Sequence, residues 1–340
     1  MAILVTGGGG YIGSVLVEVL RERGIAVVVV DNLSRGHRRA VAEDVPFYVG
    51  DVGDGPFLRG VFREHSIDGV FHFAASSLVG ESMHDAGAYF RNNVGGLLRL
   101  LEVMLEAGIG RFVLSSTAAT YGEPTEVPIP ETAPTEPTNP YGESKLTCER
   151  MLHWMGVVHG LRWAALRYFN AAGASDRCGE DHTPETHLVP LAIAAAAGRR
   201  GPLPVFGLDY PTPDGSCVRD YVHVEDLAEA HLLALERMSE HSAEIYNLGN
   251  GEGFSVLEVL DAVHRATGRP VPWEAAPRRS GDPARLVASS HKARRELGWT
   301  PRRDRLDVIV ESAWRWALAH PHGYAPPRGD VLPHGHATRS

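Results

Sequence analysis

The sequence predicts an α/β protein built on a doubly wound parallel sheet, with a smaller α/β domain in the second half of the chain. Three observations predict this fold class. Short apolar, β-branched runs alternate with amphipathic helical patterns through the first half. Two stretches rich in Gly and Pro, 170–184 and 198–220, then break that alternation. Helical periodicity returns over residues 224–238, 256–267 and 305–320.

The predicted elements follow in order along the chain. Strands are predicted at 2–6, 26–30, 47–49, 69–72, 111–115 and 163–167, and a strand at 244–248 is predicted to rejoin the first sheet. Amphipathic helices are predicted at 11–23 and 92–107, and another starts near Tyr141. Residues 123–139, rich in Pro, Thr and Glu, predict a long loop.

These elements predict two domains. Residues 1–169, rejoined by about 222–248, form the first, and residues 170–221 and 249–320 form the second. Residues 321–340 carry Pro, Gly and His without apolar anchors, and we expect most of this tail to be mobile.

Charge and cysteine content limit the partners. Basic residues number 33 and acidic residues 42, a balance that argues against nucleic acid. Cys148, Cys178 and Cys217 are widely spaced, and the tail histidines form no coherent ligand set, so we expect neither a disulfide framework nor a metal site. The chain opens without a leader pattern, and its apolar runs are shorter than the ~20 residues that span a bilayer. We therefore expect a cytoplasmic protein without membrane contact.

Glycines at the end of the first strand predict a cofactor. Gly7, Gly10 and Gly13 form GxxGxxG between a strand and a helix, where backbone N–H groups can bind a pyrophosphate. Asp31 lies 18 residues beyond Gly13, at the end of the second strand. An acid there bonds the adenosine ribose hydroxyls and favours NAD, while three arginines over 35–39 leave NADP as the alternative. The pattern predicts a dinucleotide-binding (Rossmann) sheet.

Two further strand ends are candidates for the same cofactor. Asp51 follows the third strand, where it can accept from an adenine amino group or merely open the next turn. Phe73, Ala74 and Ala75 follow the fourth strand, where small residues leave room for pyrophosphate and ribose or simply form a tight exit.

A YxxxK motif predicts acid–base chemistry. Tyr141 and Lys145 share one helical face at i,i+4 spacing. The Lys145 ammonium and an oxidised nicotinamide both favour the phenolate form of Tyr141. Thr117, at the end of the fifth strand, can bond the substrate hydroxyl that Tyr141 deprotonates.

With these motifs the chain resembles the extended short-chain dehydrogenase/reductase family. Matching segments reach from the first strand to about residue 300 and lie at 6–14, 31–34, 72–82, 92–94, 112–122, 141–145, 166–173, 205–224, 246–249 and 278–282. The resemblance implies that Tyr141 is the acid/base, that Lys145 lowers its pKa and binds ribose, and that Thr117 is the hydroxyl partner. The chain differs from the family at Ser77, where some members have a Lys that binds the cofactor phosphates.

The resemblance, with the motifs above, assigns residues to cofactor and substrate. Those expected at NAD are Gly7, Gly10, Tyr11, Ile12, Gly13, Asp31, Asn32, Leu33, Ser34, Asp51, Val52, Phe73, Ala74, Ala75, Asn93, Ser115, Tyr141, Lys145 and Phe169. Those expected at a UDP-sugar are Thr117, Tyr141, Asn170, His187, Leu188, Val205, Phe206, Arg219, Tyr221, Arg279 and Asp282. Arg219 and Arg279 would grip the diphosphate, and Asp282 the uridine ribose.

The resemblance also implies a reaction: C4 epimerisation between UDP-galactose and UDP-glucose through a 4-keto sugar, with hydride passing to tightly bound NAD in a homodimer. UDP-N-acetylhexosamine, UDP-pentose and UDP-uronate remain alternative substrates, because Leu286 occupies a position where members of the family vary. A 4,6-dehydratase is disfavoured, since Ala118 and Ala119 follow Thr117 where an acid is needed. A non-catalytic NAD sensor would be expected to lack Tyr141 or Lys145, and an ordinary dehydrogenase would exchange its cofactor.

Overall fold

The computed structural model describes residues 1–238, 242–279 and 282–325. Its strands are β1 (Ala2–Thr6), β2 (Val27–Asp31), β3 (Phe47–Val49), β4 (Ile67–His72), β5 (Arg111–Thr117), β6 (Arg162–Tyr168), β7 (Asn170–Ala172), β8 (Leu203–Phe206), β9 (Val218–Arg219), β10 (Tyr221–His223), β11 (Ala243–Leu248), β12 (Phe254–Ser255), β13 (Trp273–Ala276) and β14 (Arg285–Leu286). Its α-helices are α1 (Tyr11–Glu22), α2 (Gly55–Glu64), α3 (Val79–Ser82), α4 (Ala86–Tyr89), α5 (Gly96–Glu106), α6 (Pro140–His159), α7 (Leu188–Ala196), α8 (Val224–Glu236), α9 (Val256–Thr267) and α10 (Leu306–Ala319).

A seven-stranded parallel sheet forms the centre of the fold, in the order β11-β6-β5-β4-β1-β2-β3. The order reverses between β1 and β4, so the chain leaves these neighbouring strands in opposite directions and a crevice opens at their carboxyl ends. Every residue of β2 is buried, as a parallel strand covered on both faces requires. The doubly wound parallel sheet predicted from the sequence is confirmed.

Helices cover both faces of this sheet and bury two apolar cores. Residues of α1 and α8 pack on one face, and residues of α2, α5 and α6 pack on the other. A third core lies outside the sheet, where α7, α9 and α10 pack around β8. The division of the chain into two domains stays a prediction.

The start of α6 is fixed by local sequence. The Asn139 side chain caps the helix by accepting a hydrogen bond from the Gly142 backbone N–H at 2.9 Å, and Pro140 occupies the first turn. The helix ends at His159, and Gly160 is its C-cap, with a φ of +70° that suits glycine. This cap places Tyr141 in the first turn of the helix.

The predicted strands are all confirmed, with bounds that shift by at most two residues. The single helix predicted at 92–107 is wrong at its start, because Phe90–Gly95 is a π-helix that leads into α5. The sequence analysis missed α2, although Asp54 caps it and Pro56 stands in its first turn. Among the described residues, no helix has the length and apolar character to cross a membrane.

The expectation that residues 321–340 lack apolar anchors is wrong at Tyr324. Its side chain is buried against Trp316 and Ala40, and its backbone N–H donates to the Asp181 carboxylate at 2.8 Å. The remainder of the predicted tail, 326–340, lies outside the described residues.

Candidate active site

The glycines after β1 form a tight turn against the end of β4. Gly7 has a φ of +74°, and a Cβ at this position would lie 2.6 Å from the backbone nitrogen of Ala74. A Cβ on Gly13 would lie 2.3 Å from the Gly7 carbonyl oxygen. Gly10 precedes α1 and offers no side-chain cap, which leaves the first N–H groups of the helix free to bind an anion.

Tyr11 and Ile12 anchor this turn to the rest of the protein. The Tyr11 hydroxyl donates a hydrogen bond to the Gly173 carbonyl oxygen at 2.6 Å, and Ile12 packs against the core on that face of the sheet. Burial raises the pKa of Tyr11 well above its usual range, and the carboxylates of Glu180 and Glu185 add to the rise. Tyr11 therefore stays a neutral hydrogen-bond donor.

Asp31, predicted to hold a ribose, ends β2 beside the glycine turn. One carboxylate oxygen accepts from the Gly9 N–H at 2.9 Å, and the other accepts from the Leu33 N–H at 2.8 Å. Burial raises the pKa of Asp31, and these two hydrogen bonds oppose the rise. Leu33 adopts a φ of +58° to make its bond, which is unusual outside glycine.

Two of the arginines that left NADP open are engaged elsewhere. Arg35 donates to the Thr183 carbonyl oxygen at 2.6 Å and pairs with Glu81 at 3.1 Å. Arg38 donates to the Val41 carbonyl oxygen at 2.7 Å. An acid at the ribose position, without these guanidinium groups turned toward it, favours NAD.

The loops after β2 and β3 are joined to each other. The Asn32 amide donates to the Asp51 carboxylate at 2.9 Å and accepts from the Ser34 N–H at 3.0 Å. These three residues are exposed, whereas the Val52 side chain is buried in the core below the sheet. Val52 therefore has only its backbone to offer a cofactor.

The segment after β4 forms the floor of the crevice. Phe73 donates its N–H to the Thr6 carbonyl oxygen at 2.8 Å, which extends the pairing of β4 with β1. Phe73, Ala74 and Ala75 are all half-buried, and the Gly7 turn packs directly on the first two.

Thr117, Tyr141 and Lys145 lie together at the carboxyl end of β5. Thr117 is the last residue of the strand, and the other two lie one turn apart in α6. The Lys145 ammonium donates to the Ser115 carbonyl oxygen at 2.7 Å. Burial lowers the pKa of Lys145 to about 8, against the opposing effects of Cys148 and Glu149.

Tyr141 is neutral in the protein alone. Burial raises the pKa of the phenol, and the hydrogen bond with the Thr117 hydroxyl opposes the rise. The sequence predicts that Lys145 lowers this pKa, yet the net shift is upward and the ammonium bonds the Ser115 carbonyl instead. A further positive charge at the site is needed to favour the phenolate.

Asn93 was expected at the cofactor, but all four of its amide hydrogen-bonding positions are used within the protein. Its nitrogen donates to the Ser76 carbonyl oxygen at 3.0 Å and to the Ser144 hydroxyl at 2.9 Å. Its oxygen accepts from the Ser76 N–H at 2.8 Å and from the Asn92 amide at 2.9 Å. Asn93 therefore ties the loop after β4 to the helix that carries Tyr141.

These features fit a dinucleotide, because the glycine turn, the buried acid and the Thr–Tyr–Lys group all lie at the carboxyl edge of the parallel sheet. The family model described as the NAD dependent epimerase/dehydratase family matches residues 3–249. The chain belongs to this family.

Members of the NAD dependent epimerase/dehydratase family cover nearly the whole chain. UDP-glucose 4-epimerase from Halalkalibacterium halodurans is 54% identical over 333 residues, which are 97% of this chain and 99% of that protein. A crystal structure of UDP-glucose 4-epimerase has a TM-score of 0.93 and 52% identity, covering 96% of this chain and 100% of that one. The UDP-glucose 4-epimerase of Bifidobacterium longum in complex with NAD+ and UDP has a TM-score of 0.90 and 39% identity, covering 95% and 100%.

Two residues predicted at the nucleotide of a UDP-sugar contact each other. Arg219 donates to the Asp282 carboxylate, and it also donates to the Val218 carbonyl oxygen at 2.8 Å. Both side chains are largely withdrawn from solvent. A ligand diphosphate and ribose would compete with this ion pair for the same hydrogen-bonding groups.

Val205 and Phe206, the two residues predicted at the uracil, are neighbours in β8, and their side chains point to opposite sides of the strand. Burial alternates along the strand, so Val205 faces the core while Phe206 is half-buried on the other side. The Arg279 guanidinium carbon lies 3.9 Å from the centre of the Phe206 ring. The Val205 side chain therefore points into the third core, and a role for this residue at the uracil stays a prediction.

Three other predicted substrate residues lie nearby. The Asn170 amide donates to the Asp220 carbonyl oxygen at 2.8 Å. Tyr221 is buried, and burial raises the pKa of its phenol. Leu188 begins α7 and packs against the third core.

Phe169, predicted at the cofactor, is half-buried and donates its N–H to the Leu248 carbonyl oxygen at 3.3 Å.

Sequence reasoning missed the surroundings of His187. Its Nδ1 contacts Glu180 and lies 3.7 Å from Glu185, and His182 Nδ1 lies 3.0 Å from the same Glu180 oxygen. The signal that was available is the spacing ExHxxExH over residues 180–187, which repeats two residue types that bind metals.

Proposed function

We propose that the protein interconverts UDP-galactose and UDP-glucose at C4 with NAD as a bound cofactor. The observation that carries this proposal is the convergence of Thr117, Tyr141 and Lys145 at the carboxyl end of β5, on the same edge of the sheet as the glycine turn. A relative that is 54% identical over nearly the whole chain is named UDP-glucose 4-epimerase, and this name supports the same substrate.

Tyr141 moves the proton in this scheme. Its phenolate takes the proton of the sugar 4-hydroxyl, and the Thr117 hydroxyl holds that oxygen in place. When bound, oxidised NAD supplies a hydride acceptor for the C4 hydrogen and a positive charge that favours the phenolate. The resulting 4-keto sugar rotates in the pocket, so that C4 regains a hydride on its opposite face while Tyr141 returns the proton to the 4-oxygen, which completes the epimerisation.

Binding energy in this scheme comes from the nucleotide, remote from the reacting carbon. Arg219 and Arg279 hold the diphosphate, and Asp282 binds the uridine ribose. Few contacts then restrain the sugar ring, which leaves it free to present either face.

A test uses the purified protein and UDP-galactose without added NAD, with UDP-glucose formation followed by NMR. We expect turnover, and we expect Tyr141→Phe to reduce kcat by about 10²- to 10⁴-fold, as for other proton-transfer groups. Tyr48→Phe is the matched control, because the Tyr48 hydroxyl bonds Glu64 on α2 outside the site. Turnover only after NAD is added would mean a loosely held cofactor. No turnover even then would contradict the galactose assignment and direct the assay to N-acetyl, pentose and uronate sugars.

We also propose a homodimer in which α5 and α6 form the interface. Trp154, Val157 and Val158 are 63%, 62% and 65% exposed on α6, and Leu98 is exposed on α5. Light scattering of Trp154→Glu should report a monomer where the unaltered protein gives a dimer. Leu318→Glu on α10, at a site 58% exposed, should leave the mass unchanged.

A cytoplasmic location completes the proposal. Cys148, Cys178 and Cys217 are free and buried, which suits a reducing compartment.

A further inference from the structure

Three residues of α6 form a stripe along one side of the helix. Tyr141, Lys145 and Glu149 follow one another at i,i+4 spacing, so their side chains lie on the same face. Lys145 is 2% exposed and Glu149 is 3% exposed. Glu149, one turn beyond Lys145, has no part in the proton transfer proposed above, and a buried carboxylate in this place needs an explanation.

The Glu149 carboxylate accepts hydrogen bonds from two neighbouring strands. Its Oε1 accepts from the Ser116 hydroxyl on β5 at 2.5 Å and from Arg167 Nε on β6 at 2.9 Å. Its Oε2 accepts from Arg167 Nη2, so the guanidinium binds the carboxylate through two parallel hydrogen bonds. Ser116 and Arg167 are buried and lie opposite each other in the pairing of β5 with β6. One side chain of α6 therefore binds the ends of both strands.

These hydrogen bonds lie next to the Thr117–Tyr141–Lys145 group. Ser116 stands between Ser115 and Thr117 in β5. The Ser115 carbonyl oxygen accepts from the Lys145 ammonium at 2.7 Å, and the Ser116 hydroxyl donates to Glu149. Consecutive turns of α6 are thus bonded to consecutive residues of β5. A shift or rotation of the helix relative to Thr117 would break both bonds.

A buried ion pair is a costly way to stabilise a fold. Removing two charges from water costs free energy that their attraction only partly returns, and well-packed apolar residues in their place are often equally stabilising. The best-attested use of such groups is to fix the register of packed elements. The position of the Glu149–Arg167 pair, one helical turn from Lys145, favours that use here.

Glu149 also acts on the charge of Lys145. Burial lowers the pKa of Lys145 to about 8, and Cys148 and Glu149 oppose this change. Burial raises the pKa of the Cys148 thiol to about 12, so this thiol carries no charge near neutral pH. Of the two groups, the carboxylate is the one that supplies a negative charge to the ammonium.

We propose that Glu149 is a positioning residue for the proton transfer described under the proposed function. By binding Ser116 and Arg167, it fixes α6 against the ends of β5 and β6. Tyr141 is thereby held beside Thr117. This inference rests on the proposed function, because it assigns Glu149 to the same reaction.

The test removes both charges together, so that no buried charge is left unpaired. Glu149→Met combined with Arg167→Met should fold with a Tm close to that of the unaltered protein. We expect kcat for UDP-galactose to fall about 10²-fold, the effect of a displacement of about 1 Å, while KM changes little because the proposed nucleotide contacts lie elsewhere. Glu106→Met combined with Arg59→Met is the matched control, since this exposed pair joins α2 to α5, and it should leave kcat unchanged.

A second readout does not need turnover. Burial raises the pKa of Tyr141 and the Thr117 hydroxyl opposes the rise, so a helix displaced from Thr117 should release the phenol proton at a higher pH. The near-ultraviolet absorbance of phenolate in the NAD-bound protein measures this, as the difference between each protein and its Tyr141→Phe derivative. The titratable groups that face this phenol are Lys145 on the same helix, Tyr89 on α4 and Tyr168 on β6. Burial raises the pKa of Tyr89 to about 12 and that of Tyr168 well above its usual range, so both stay neutral while Tyr141 titrates.

A folded double variant with normal kcat and an unshifted Tyr141 titration would overturn the positioning role. If the double variant does not fold, Ser116→Ala decides in its place, because it removes one hydrogen bond from Glu149 and changes no charge. We expect a lower kcat and a higher titration pH in Ser116→Ala, and normal values of both would likewise overturn the role. If the unaltered protein does not turn over UDP-galactose, the proposed function fails, and the phenolate titration still decides whether Glu149 positions Tyr141.

Discussion

Asn93 donates a hydrogen bond to the Ser144 hydroxyl at 2.9 Å, and that hydroxyl in turn donates to the Tyr141 carbonyl oxygen at 2.7 Å. The π-helix at Phe90–Gly95 therefore reaches the backbone of Tyr141 through one serine. π-Helical turns are rare and often occur at functional sites. Here the turn aims a buried amide at α6, the helix that carries Tyr141.

Replacement of Asn93 by alanine tests this positioning role. The change leaves Ser76 and Ser144 with unpaired buried groups, so we expect a loss of about 2–3 kcal/mol in the free energy of unfolding. We also expect a lower kcat with nearly unchanged NAD retention, because no polar atom of Asn93 is free for a cofactor. Urea denaturation, steady-state kinetics and cofactor content after gel filtration measure the three effects. Loss of NAD with normal stability would instead support the contact predicted from the sequence.

Thr117 has two separable tasks. Its hydroxyl contacts Tyr141, and it also accepts the Ala119 N–H at 3.1 Å as the cap of a short 3-10 helix. Thr117→Val should lower kcat about 10- to 100-fold, as expected for a hydrogen bond to a charged group. It should also cost about 0.5–2 kcal/mol of stability through the cap. Thr117→Ser keeps the hydroxyl, so equal losses in both variants would contradict this role.

Lys145 gives the protein a pH-dependent stability. Burial lowers its pKa from 10.5 to about 8, so below pH 8 the folded chain bears the full cost of a desolvated ammonium. Between pH 8 and 10.5 the folded state releases this proton while the unfolded state keeps it, and stability rises with pH. The gain approaches about 3 kcal/mol at about 1.4 kcal/mol per pKa unit.

The measurement compares urea denaturation of the unaltered protein with that of Lys145→Met from pH 7 to 10.5 at one NAD concentration. Groups common to both proteins cancel in the difference, so Lys145→Met should lack the rise. A constant difference across this range would show that Lys145 is not desolvated in the folded protein.

The sheet and the cofactor turn could be predicted because their signals are local. Four consecutive valines in β2 indicate a strand buried on both faces, and glycines at fixed spacing indicate a turn that excludes Cβ atoms. The prediction that Asp31 binds the adenosine ribose rests on its position at the end of β2. Each prediction needed only the residues of one element.

Contacts between distant segments could not be predicted in this way. The pairing of Arg219 with Asp282 joins residues 63 positions apart, and neither sequence neighbourhood carries a periodic signal for it. The inward direction of the Val205 side chain could not be predicted, because β8 is only four residues long and its alternation is too short to be recognised in the sequence. The contacts of Glu180 with His182 and His187 depend on a loop path without periodicity, so only the fold shows that these side chains meet.

Gly7 and Gly60 form a matched pair for the last prediction. Gly7 has a φ of +74° and a virtual Cβ 2.6 Å from the Ala74 backbone nitrogen, whereas a Cβ on Gly60 within α2 meets nothing within 4 Å. Gly7→Ala should lose at least about 2–3 kcal/mol of stability, since both strain and overlap oppose it. It should also lose NAD, because the glycine turn can accommodate a Cβ at this position only if the backbone after β4 moves away from it. Gly60→Ala should instead gain about 0.5–1 kcal/mol, the usual difference between the two residues inside a helix. Thermal unfolding and cofactor content of both variants measure these effects, and a stable Gly7→Ala protein that keeps NAD would show that the turn does not hold the pyrophosphate.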